Sequence, residues 1–379
     1  MRFAFISTMQ GSPWGGSEEL WSQSAAQLKR AGHQVMGIVM YRPQVAQKLV
    51  DLQRSGIELE TYPSPGFLIG RAQRLWDLVS LRYRRTRRRL RNFRPDLVLI
   101  SQGHTAGAFD WVQCCLQANI PYAIVIHCNS DLWWFDERGV REAVLTYTQA
   151  RRVFCVSDGN RKLLRLQVGD PLPNAVVAWN PCSVAGTSAP SWPSNKTWRL
   201  ACVGRLDPAP KGQDLLLQIL ARPEWRSRPI EVNFFGAGPY ERTLHRLAEM
   251  LRMKNVFFRG HVNNIRAVWE QNHALVLPSR YEGLPLTLVE AMWCARPAIV
   301  TDVGGNAELC ADNETGFVSP ASTLPSFAEA LDRAWNRRHD WQVIGQAAMA
   351  RVEAQAPKDP IKLFCDRLMD CTVIQTKPS

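Results

Sequence analysis

The chain has 379 residues, and 46% hydrophobic and 21% charged residues are the composition of a folded globular protein. This length predicts two domains of ordinary size. No apolar run approaches the ~18 residues needed to cross a bilayer, and the first strand-like segment is too short for a signal-peptide core, so we expect a cytoplasmic protein. The formal net charge of +12 bears on binding partners rather than on the fold.

In the first half of the chain, short apolar segments alternate with helical patterns. A strand at residues 3–7 is followed by a helix over residues 18–31, which Gly32 ends. Such alternation is typical of a parallel sheet covered by helices. Further strands are predicted at residues 34–39, 96–100, 122–126 and 152–156.

A Ser- and Pro-rich stretch over residues 183–195 is predicted to be a linker, after which the alternation starts again. We therefore predict an α/β protein with two doubly wound, Rossmann-like domains, residues 1–182 and 183–356. Ligands of such domains bind beyond the carboxyl ends of the strands, so we expect a site in a cleft between facing domains. The second set of strands is predicted at residues 200–203, 231–235, 256–259, 274–277 and 297–301.

The chain contains ten cysteines, but no C-x-x-C spacing and no D-x-D run. This pattern indicates buried free thiols in a reducing compartment. It also gives no reason to expect a metal site.

The most informative segment runs from Ser279 to Glu308 and reads SRYEGLPLTLVEAMWCARPAIVTDVGGNAE. It follows an apolar strand, and Pro285 suits the first turn of a helix. Glu282 then lies in the loop before that helix and Glu290 more than a turn inside it. The amides at the helix start, Gly283, Leu284 and Leu286 beside Pro285, form a place for phosphate. Two carboxylates near an anion-binding helix N-terminus predict a binding site for a sugar nucleotide.

This segment resembles the E-x7-E segment of retaining glycosyltransferases with the GT-B fold, in particular glycosyltransferase family 4. The specific part is the longer string, with E-G-L-P before the second glutamate and T-D-V-G-G-N-A-E-L after it. The resemblance covers nearly the whole chain and implies that residues 357–379 form a last helix that crosses back to the first domain. One departure is Ala295, where the family usually has glycine at the end of the helix.

Four further glycine-containing loops extend the resemblance. Arg205 after a strand and Lys211 before a helix are placed to clamp a diphosphate, and the family uses such an Arg and Lys in this way. The resemblance also implies a nucleotide pocket near Gly236 and Gly238 and a transferred-sugar contact at His127. The remaining residues that it places beside substrate are Gly15, Gly16, Gly204, His261 and Val262, with Ser17 as the predicted cap of the first helix.

The mechanism expected from these residues needs no metal. Arg205, Lys211 and the helix-start amides would neutralise the leaving diphosphate. Glu290 would accept hydrogen bonds from the ribose, and Glu282 would hold sugar hydroxyls near the anomeric carbon. A double displacement needs a carboxylate beneath that carbon, and the sequence shows no firm candidate. A front-side attack assisted by the leaving group is therefore expected.

The resemblance implies a retaining hexosyltransferase that uses a UDP- or GDP-sugar. Its acceptor would be a glycan or a lipid-linked sugar in the synthesis of cell-surface polysaccharide or glycolipid. The nucleotide sugar is then a substrate, and no cofactor is expected. Two alternatives stay open: a relative of another reaction class, such as a sugar-nucleotide epimerase, and an inactive sugar-binding homologue. An assay with both donor and acceptor would distinguish a sugar transferase from an epimerase.

Arg82 to Arg94 contains eight arginines and no acidic residue. Apolar residues recur at helical spacing from Leu75 through Tyr83 and Leu90 to Phe93, with Trp76 near the start. One interpretation is a basic amphipathic helix on the inner face of an anionic membrane. The other is a helix of the first domain with its apolar stripe in the core. Nucleic acid is not the expected partner.

Overall fold

The computed structural model describes residues 1–10, 14–63, 73–105, 107–194 and 197–373, with the backbone alone for residues 73–82. The chain forms two compact units. One comprises Met1–Pro181 together with the chain from Pro357 onward, and the other is Cys182–Ala356.

The first unit is built on a parallel sheet of seven strands in the order β3-β2-β1-β4-β5-β6-β7. The first six strands in this order follow the Rossmann arrangement, in which the strand order reverses between β1 and β4. The strands are β1 Arg2–Ser7, β2 Gln34–Met40, β3 Glu58–Tyr62, β4 Leu97–Gln102, β5 Tyr122–Ile126, β6 Val153–Cys155 and β7 Ala175–Val177.

Helices cover both faces of this sheet, so its central strands are buried throughout. They are α1 Gly16–Arg30, α2 Gln47–Arg54, α3 Gln73–Phe93, α4 Phe109–Gln117, α5 Glu137–Thr148, α6 Asp158–Val168 and, from the end of the chain, α16 Pro360–Asp370. Helix α16 packs against α1, and its Phe364 ring lies 4.7 Å from that of Phe154.

The second unit repeats the arrangement with six parallel strands in the order β10-β9-β8-β11-β12-β13. The order reverses between β8 and β11. The strands are β8 Trp198–Val203, β9 Ile230–Phe235, β10 Val256–Gly260, β11 Ala274–Leu277, β12 Ala298–Thr301 and β13 Gly316–Ser319. The helices are α7 Pro208–Lys211, α8 Gln213–Leu220, α9 Pro223–Arg226, α10 Glu241–Met250, α11 Ile265–Gln271, α12 Leu286–Trp293, α13 Asn306–Leu309, α14 Leu324–Asn336 and α15 Trp341–Gln355.

The predicted pair of parallel, Rossmann-like sheets is confirmed, and every predicted strand is present within two residues at each end. Three strands were missed, namely β3, β7 and β13. The predicted cap of α1 was wrong. The N-cap is Gly15 without a side-chain hydrogen bond, while Ser17 lies inside the helix and its hydroxyl donates to the Met9 sulfur.

The contacts of α3 show whether the apolar residues of the basic segment lie in the core or are available to a membrane. Tyr83 packs against Tyr62 and Trp111, and Leu90 is fully buried. Thr86 is also buried, and Phe93 packs on the same core. This half of the apolar stripe therefore belongs to the core and cannot enter a membrane. The side chains of Leu75, Trp76 and Val79 lie outside the described residues.

The opposite side of α3 carries the arginines. Arg89 is paired with Glu58 and Glu60, and Arg87 lies over the Tyr83 ring. Arg84, Arg85 and Arg88 are exposed, and within the described ranges no ion pair is recorded for them. None of the helices in the part of the chain that the structure covers is long and apolar enough to span a membrane.

Candidate active site

The loops after β8 and β11 lie side by side at the point where the strand order of the second sheet reverses. In sheets of this type the crevice at that point is the usual ligand site. The first loop carries Arg205 and leads through α7 to Lys211, and the second carries Glu282. The Lys211 ammonium lies 2.5 Å from Glu282 Oε1, which also accepts a hydrogen bond of 2.7 Å from the Ser279 hydroxyl.

This ion pair is largely removed from water, since 9% of the Glu282 side chain and 21% of the Lys211 side chain are exposed. Charges in such surroundings interact more strongly than on the surface. Arg205 is more open, with 40% of its side chain exposed, and pairs with Asp207 at 3.0 Å. The crevice therefore presents one partly shielded cation and one accessible cation.

Arg280 fixes the two loops together. Its guanidinium makes a bidentate pair of 2.8 Å bonds with Asp214 and donates to the Pro208 carbonyl at 2.6 Å. Its amide donates to the Pro210 carbonyl at 2.8 Å. Planar bidentate pairs are the most directional of the charged contacts, so the turn before Lys211 is held against the loop that carries Glu282.

Gly212 allows the closest approach between these loops. Its φ is +62°, and a Cβ atom there would lie 1.9 Å from the Pro278 carbonyl oxygen. Gly304, with φ +58°, packs in the same way beneath Glu282 and Gly283, where a Cβ would come within 2.4 Å of the Glu282 carbonyl oxygen. The V-G-G string thus supports the carboxylate loop from below.

Helix α12 begins at Leu286, with Pro285 as its N-cap rather than in its first turn. Gly283 and Leu284 precede it and are buried. The helix start directs its partial positive charge toward the loop of Glu282. Glu290 is half-buried and lies in the second turn, as the sequence predicted.

The glycines after β8 and β9 pack backbone against backbone. A Cβ at Gly236 would lie 2.0 Å from the Gly204 carbonyl oxygen, and one at Gly238 would lie 2.3 Å from the Leu206 carbonyl oxygen. Beside them is an open cavity of about 640 Å³, lined by Gly238, Pro239, Glu241, Arg242 and His245. After β10, His261 is exposed and Val262 half-buried.

In the first unit, His127 follows β5 and is 8% exposed. Its Nε2 lies 3.1 Å from the Ser101 hydroxyl, and Nδ1 has no hydrogen-bond partner among the described residues. Burial lowers the pKa of His127 to about 3, so the imidazole is neutral at physiological pH. Gly15 and Gly16 stand at the start of α1, after β1.

Sequence reasoning missed Ser279, Arg280 and Asp214. Their contacts join positions up to 72 residues apart, so they become visible only in the fold. The position of Ser279 and Arg280, directly after a buried strand, was the available signal. In the described ranges, no group of three or more His, Cys, Asp or Glu side chains is placed to hold a metal ion.

Comparison with known proteins places these features in a family. A family model described as Glycosyl transferases group 1 matches residues 197–337, and one described as Glycosyltransferase Family 4 matches residues 14–182. The chain therefore belongs to the group 1/family 4 glycosyltransferases. Its fold is the GT-B fold: HepE of Anabaena, solved in complex with UDP, superposes with a TM-score of 0.74 at 18% identity, over 98% of this chain and 99% of that one.

The curated relatives match this chain over only part of its length. D-rhamnosyltransferase WbpZ of Pseudomonas aeruginosa is 30% identical over 146 residues, 37% of each chain. A GDP-mannose-dependent alpha-(1-6)-phosphatidylinositol monomannoside mannosyltransferase of Mycolicibacterium smegmatis is 30% identical over 142 residues, 35% of this chain and 37% of that protein. The aligned part thus spans little more than a third of the length of each of these two relatives.

Proposed function

We propose that this protein is a retaining glycosyltransferase that moves a hexose-type sugar from a UDP- or GDP-sugar to a glycan or a lipid-linked acceptor. The observation that carries the proposal is the Lys211–Glu282 pair beside Arg205, at the strand-order reversal of the second sheet. A cation next to a buried carboxylate suits a ligand that has both phosphate and hydroxyl groups, as a nucleotide sugar does.

The leaving diphosphate is neutralised by Arg205, Lys211 and the amides at the start of α12. When a phosphate oxygen binds the Lys211 ammonium, Glu282 becomes free to accept hydrogen bonds from the sugar hydroxyls. Glu290 holds the ribose. Preorganised donors of this kind stabilise the charge that develops on the leaving group. The supporting contact is the Arg280–Asp214 bidentate pair, which holds both loops before any ligand arrives.

In this mechanism the protein uses its own cations rather than a divalent metal, and the nucleotide sugar is a substrate rather than a cofactor. Retention follows from a front-side attack, in which the departing diphosphate helps to take the proton of the acceptor. His127, Gly15, Gly16, His261 and Val262 complete the proposed substrate contacts.

Both donor classes have support among similar proteins. HepE is solved with UDP, and the Mycolicibacterium enzyme is named for GDP-mannose. That enzyme is also named for a phosphatidylinositol acceptor, and this supports a lipid-linked or cell-surface acceptor here.

We further propose that the protein works at the inner face of an anionic membrane. The support is charge alone: Arg84, Arg85 and Arg88 are exposed on one side of α3, whereas the apolar residues described from Tyr83 onward are in the core. Each cation close to such a surface contributes ~1 kcal/mol.

The test is a thermal-shift screen over UDP- and GDP-sugars, followed by an assay with the bound donor and membrane extract as acceptor source. A ligand at 100 times its Kd should add about 2.7 kcal/mol to stability. Transfer of sugar to extract with retention of the anomeric configuration is the expected result. Conversion of the donor without an acceptor would instead identify an epimerase, and binding without any conversion an inactive homologue.

A further inference from the structure

The first sheet has its own strand-order reversal, between β1 and β4, and a buried carboxylate lies there. Glu18, in the first turn of α1, is 5% exposed. Its Oε1 accepts a 2.9 Å hydrogen bond from the Ser7 hydroxyl at the end of β1, and its Oε2 accepts one of 2.9 Å from the Trp21 indole. Both oxygens are thus engaged by donors away from water, at the usual ligand edge of the sheet.

The hydrogen bonds continue from Glu18 to Met9, the second residue after β1. The Met9 amide donates to the Ser7 hydroxyl at 3.3 Å, and the Met9 carbonyl accepts from Arg42 at 2.9 Å. The Met9 side chain then supports the start of α1. Its sulfur accepts from the Ser17 hydroxyl at 3.2 Å, and its methyl carbon would lie 3.1 Å from a Cβ at Gly15.

The charged and titratable groups that face Glu18 are few. Arg42 lies after β2, Tyr62 ends β3 and donates to the Ser7 carbonyl, and Glu19 is the neighbour on α1. Burial outweighs the hydrogen bonds and the Arg42 charge, and raises the pKa of Glu18 to about 7. Glu19 differs: its bonds to Lys48, Trp14 and Gln23 accompany a lowered pKa despite burial.

We propose that Glu18 is a positioning residue: through Ser7 and Met9 it holds Gly15 and Gly16 in the arrangement that binds substrate. This inference rests on the proposed glycosyltransferase function. Ionised Glu18 accepts from both Ser7 and Trp21, and the Ser7 oxygen keeps a lone pair for the Met9 amide. When Glu18 is protonated, it donates to Ser7 instead, and the buried hydroxyl hydrogen of Ser7 loses its acceptor. Ser7 must then reorient to find another acceptor, which weakens its bond to the Met9 amide.

The proposal predicts a pH-dependent KM. The KM for the substrate bound at Gly15 and Gly16 should rise as the pH falls through 7, by about fivefold to tenfold, the size of one lost hydrogen bond. The kcat at saturation should change little, because Glu18 does not touch the reacting atoms.

The experiment compares the wild type with Glu18→Gln between pH 5.5 and 8.5. The amide can place its oxygen on Trp21 and its nitrogen on Ser7, so it imitates protonated Glu18. We expect Glu18→Gln to show the low-pH KM of the wild type at every pH. Glu19→Gln, one residue away, should retain the wild-type profile. If Glu18→Gln instead shows the KM values of the wild type and the same dependence of KM on pH, the proposal is wrong.

Two further measurements keep the test decisive. Ser7→Ala removes the middle link, including its bond to Glu18, but keeps the carboxylate itself, and should raise KM to the same extent. It replaces Glu18→Gln in the test if that variant proves unstable. Hydrogen exchange at Met9 and Gly15–Ser17 reports positioning without any turnover. If the wild type transfers no sugar, the proposed function fails. In that case faster exchange in Glu18→Gln than in Glu19→Gln still supports the positioning, and equal exchange refutes it.

Discussion

Lys211 and Glu282, 71 positions apart in sequence, form a 2.5 Å ion pair with Ser279 as the second donor to the carboxylate. The pair ties the loop after β8 to the loop after β11. It also sets the charge balance of the crevice, because the diphosphate of a donor would compete with Glu282 for the ammonium. Lys211 and Glu282 therefore neutralise each other in the crevice, while Arg205 stays accessible.

The first prediction concerns this pair. Lys211→Met and Glu282→Gln should each lower the free energy of unfolding by about 1–3 kcal/mol, because each leaves a buried polar partner unpaired. The double variant should cost less than the sum of the two. Urea denaturation of all four proteins measures this. In contrast, Arg138→Gln, which breaks the exposed pair with Glu142, should leave the midpoint nearly unchanged.

The second prediction concerns Glu290. Glu290→Gln replaces one of the two carboxylate oxygens proposed to accept from the ribose hydroxyls with an amide group that only donates, and removes the negative charge. It should weaken nucleotide-sugar binding about tenfold or more while leaving the fold intact. Calorimetry with the donor found in the thermal-shift screen is the measurement. The control is Glu249→Gln, an exposed glutamate on α10. Equal donor affinity in the two variants would contradict the assignment.

The third prediction concerns charge neutralisation. Arg205→Gln should reduce kcat by ~10²–10³, as expected for the loss of one preorganised donor. The wild type should keep its activity in excess EDTA. Arg246→Gln, on the exposed side of α10, serves as the control for loss of a charge. Activity that disappears in EDTA and returns with magnesium or manganese would refute metal-independent transfer.

The fourth prediction concerns the basic side of α3. Arg84, Arg85 and Arg88 changed together to Gln should greatly reduce co-sedimentation with anionic liposomes at low salt. Arg89 is left in place because it pairs with Glu58 and Glu60. A variant with Arg246, Lys254 and Lys358 changed to Gln loses the same charge elsewhere on the surface. If both triple variants bind equally, binding reflects net charge and α3 has no special part in it.

The fifth prediction concerns pH and His127. Its pKa is about 3 in the folded protein, below the usual 6.5, so the unfolded chain binds a proton that the folded one excludes. The stability that depends on neutral His127 is complete above pH 6.5 and is lost as the pH falls from 6.5 toward 3. His127→Gln should remove this loss. The check is the difference in Tm between wild type and variant across that range, with the exposed His261→Gln as the control.

Periodicity was enough to predict the two sheets, because apolar strands buried on both faces stand out in sequence. Residues 122–126 were predicted at the observed bounds. The three strands that were missed, β3, β7 and β13, all lie at sheet edges, and β3, with one buried residue, lacks the apolar pattern. The cap of α1 was misplaced because the Ser17 hydroxyl bonds to the sulfur of Met9, eight residues earlier in the chain, and no local rule reveals that contact.

The candidate site, too, could be predicted only in part. The resemblance indicated the residues, and the ends of the neighbouring strands β8 and β11 explain why Arg205, Lys211 and Glu282 lie in adjacent loops. What sequence could not show is pairing: Arg280 with Asp214, Lys211 with Glu282, and Ser7 with Glu18 are all contacts between different elements. Such contacts depend on which strands become neighbours, and hydrophobic patterns do not encode that order.

The return of α16 to the first unit affects how the protein is made. Its Cys365 contacts the Ser24 carbonyl of α1, and Arg367 donates to the Val177 carbonyl at 2.7 Å. The second unit is continuous in sequence, whereas the first lacks its final helix until synthesis reaches Asp370. During synthesis, the second unit can thus complete its core before α16 is available to complete the core of the first unit. A premature stop near Pro357 would leave the Phe154 face of the first unit exposed.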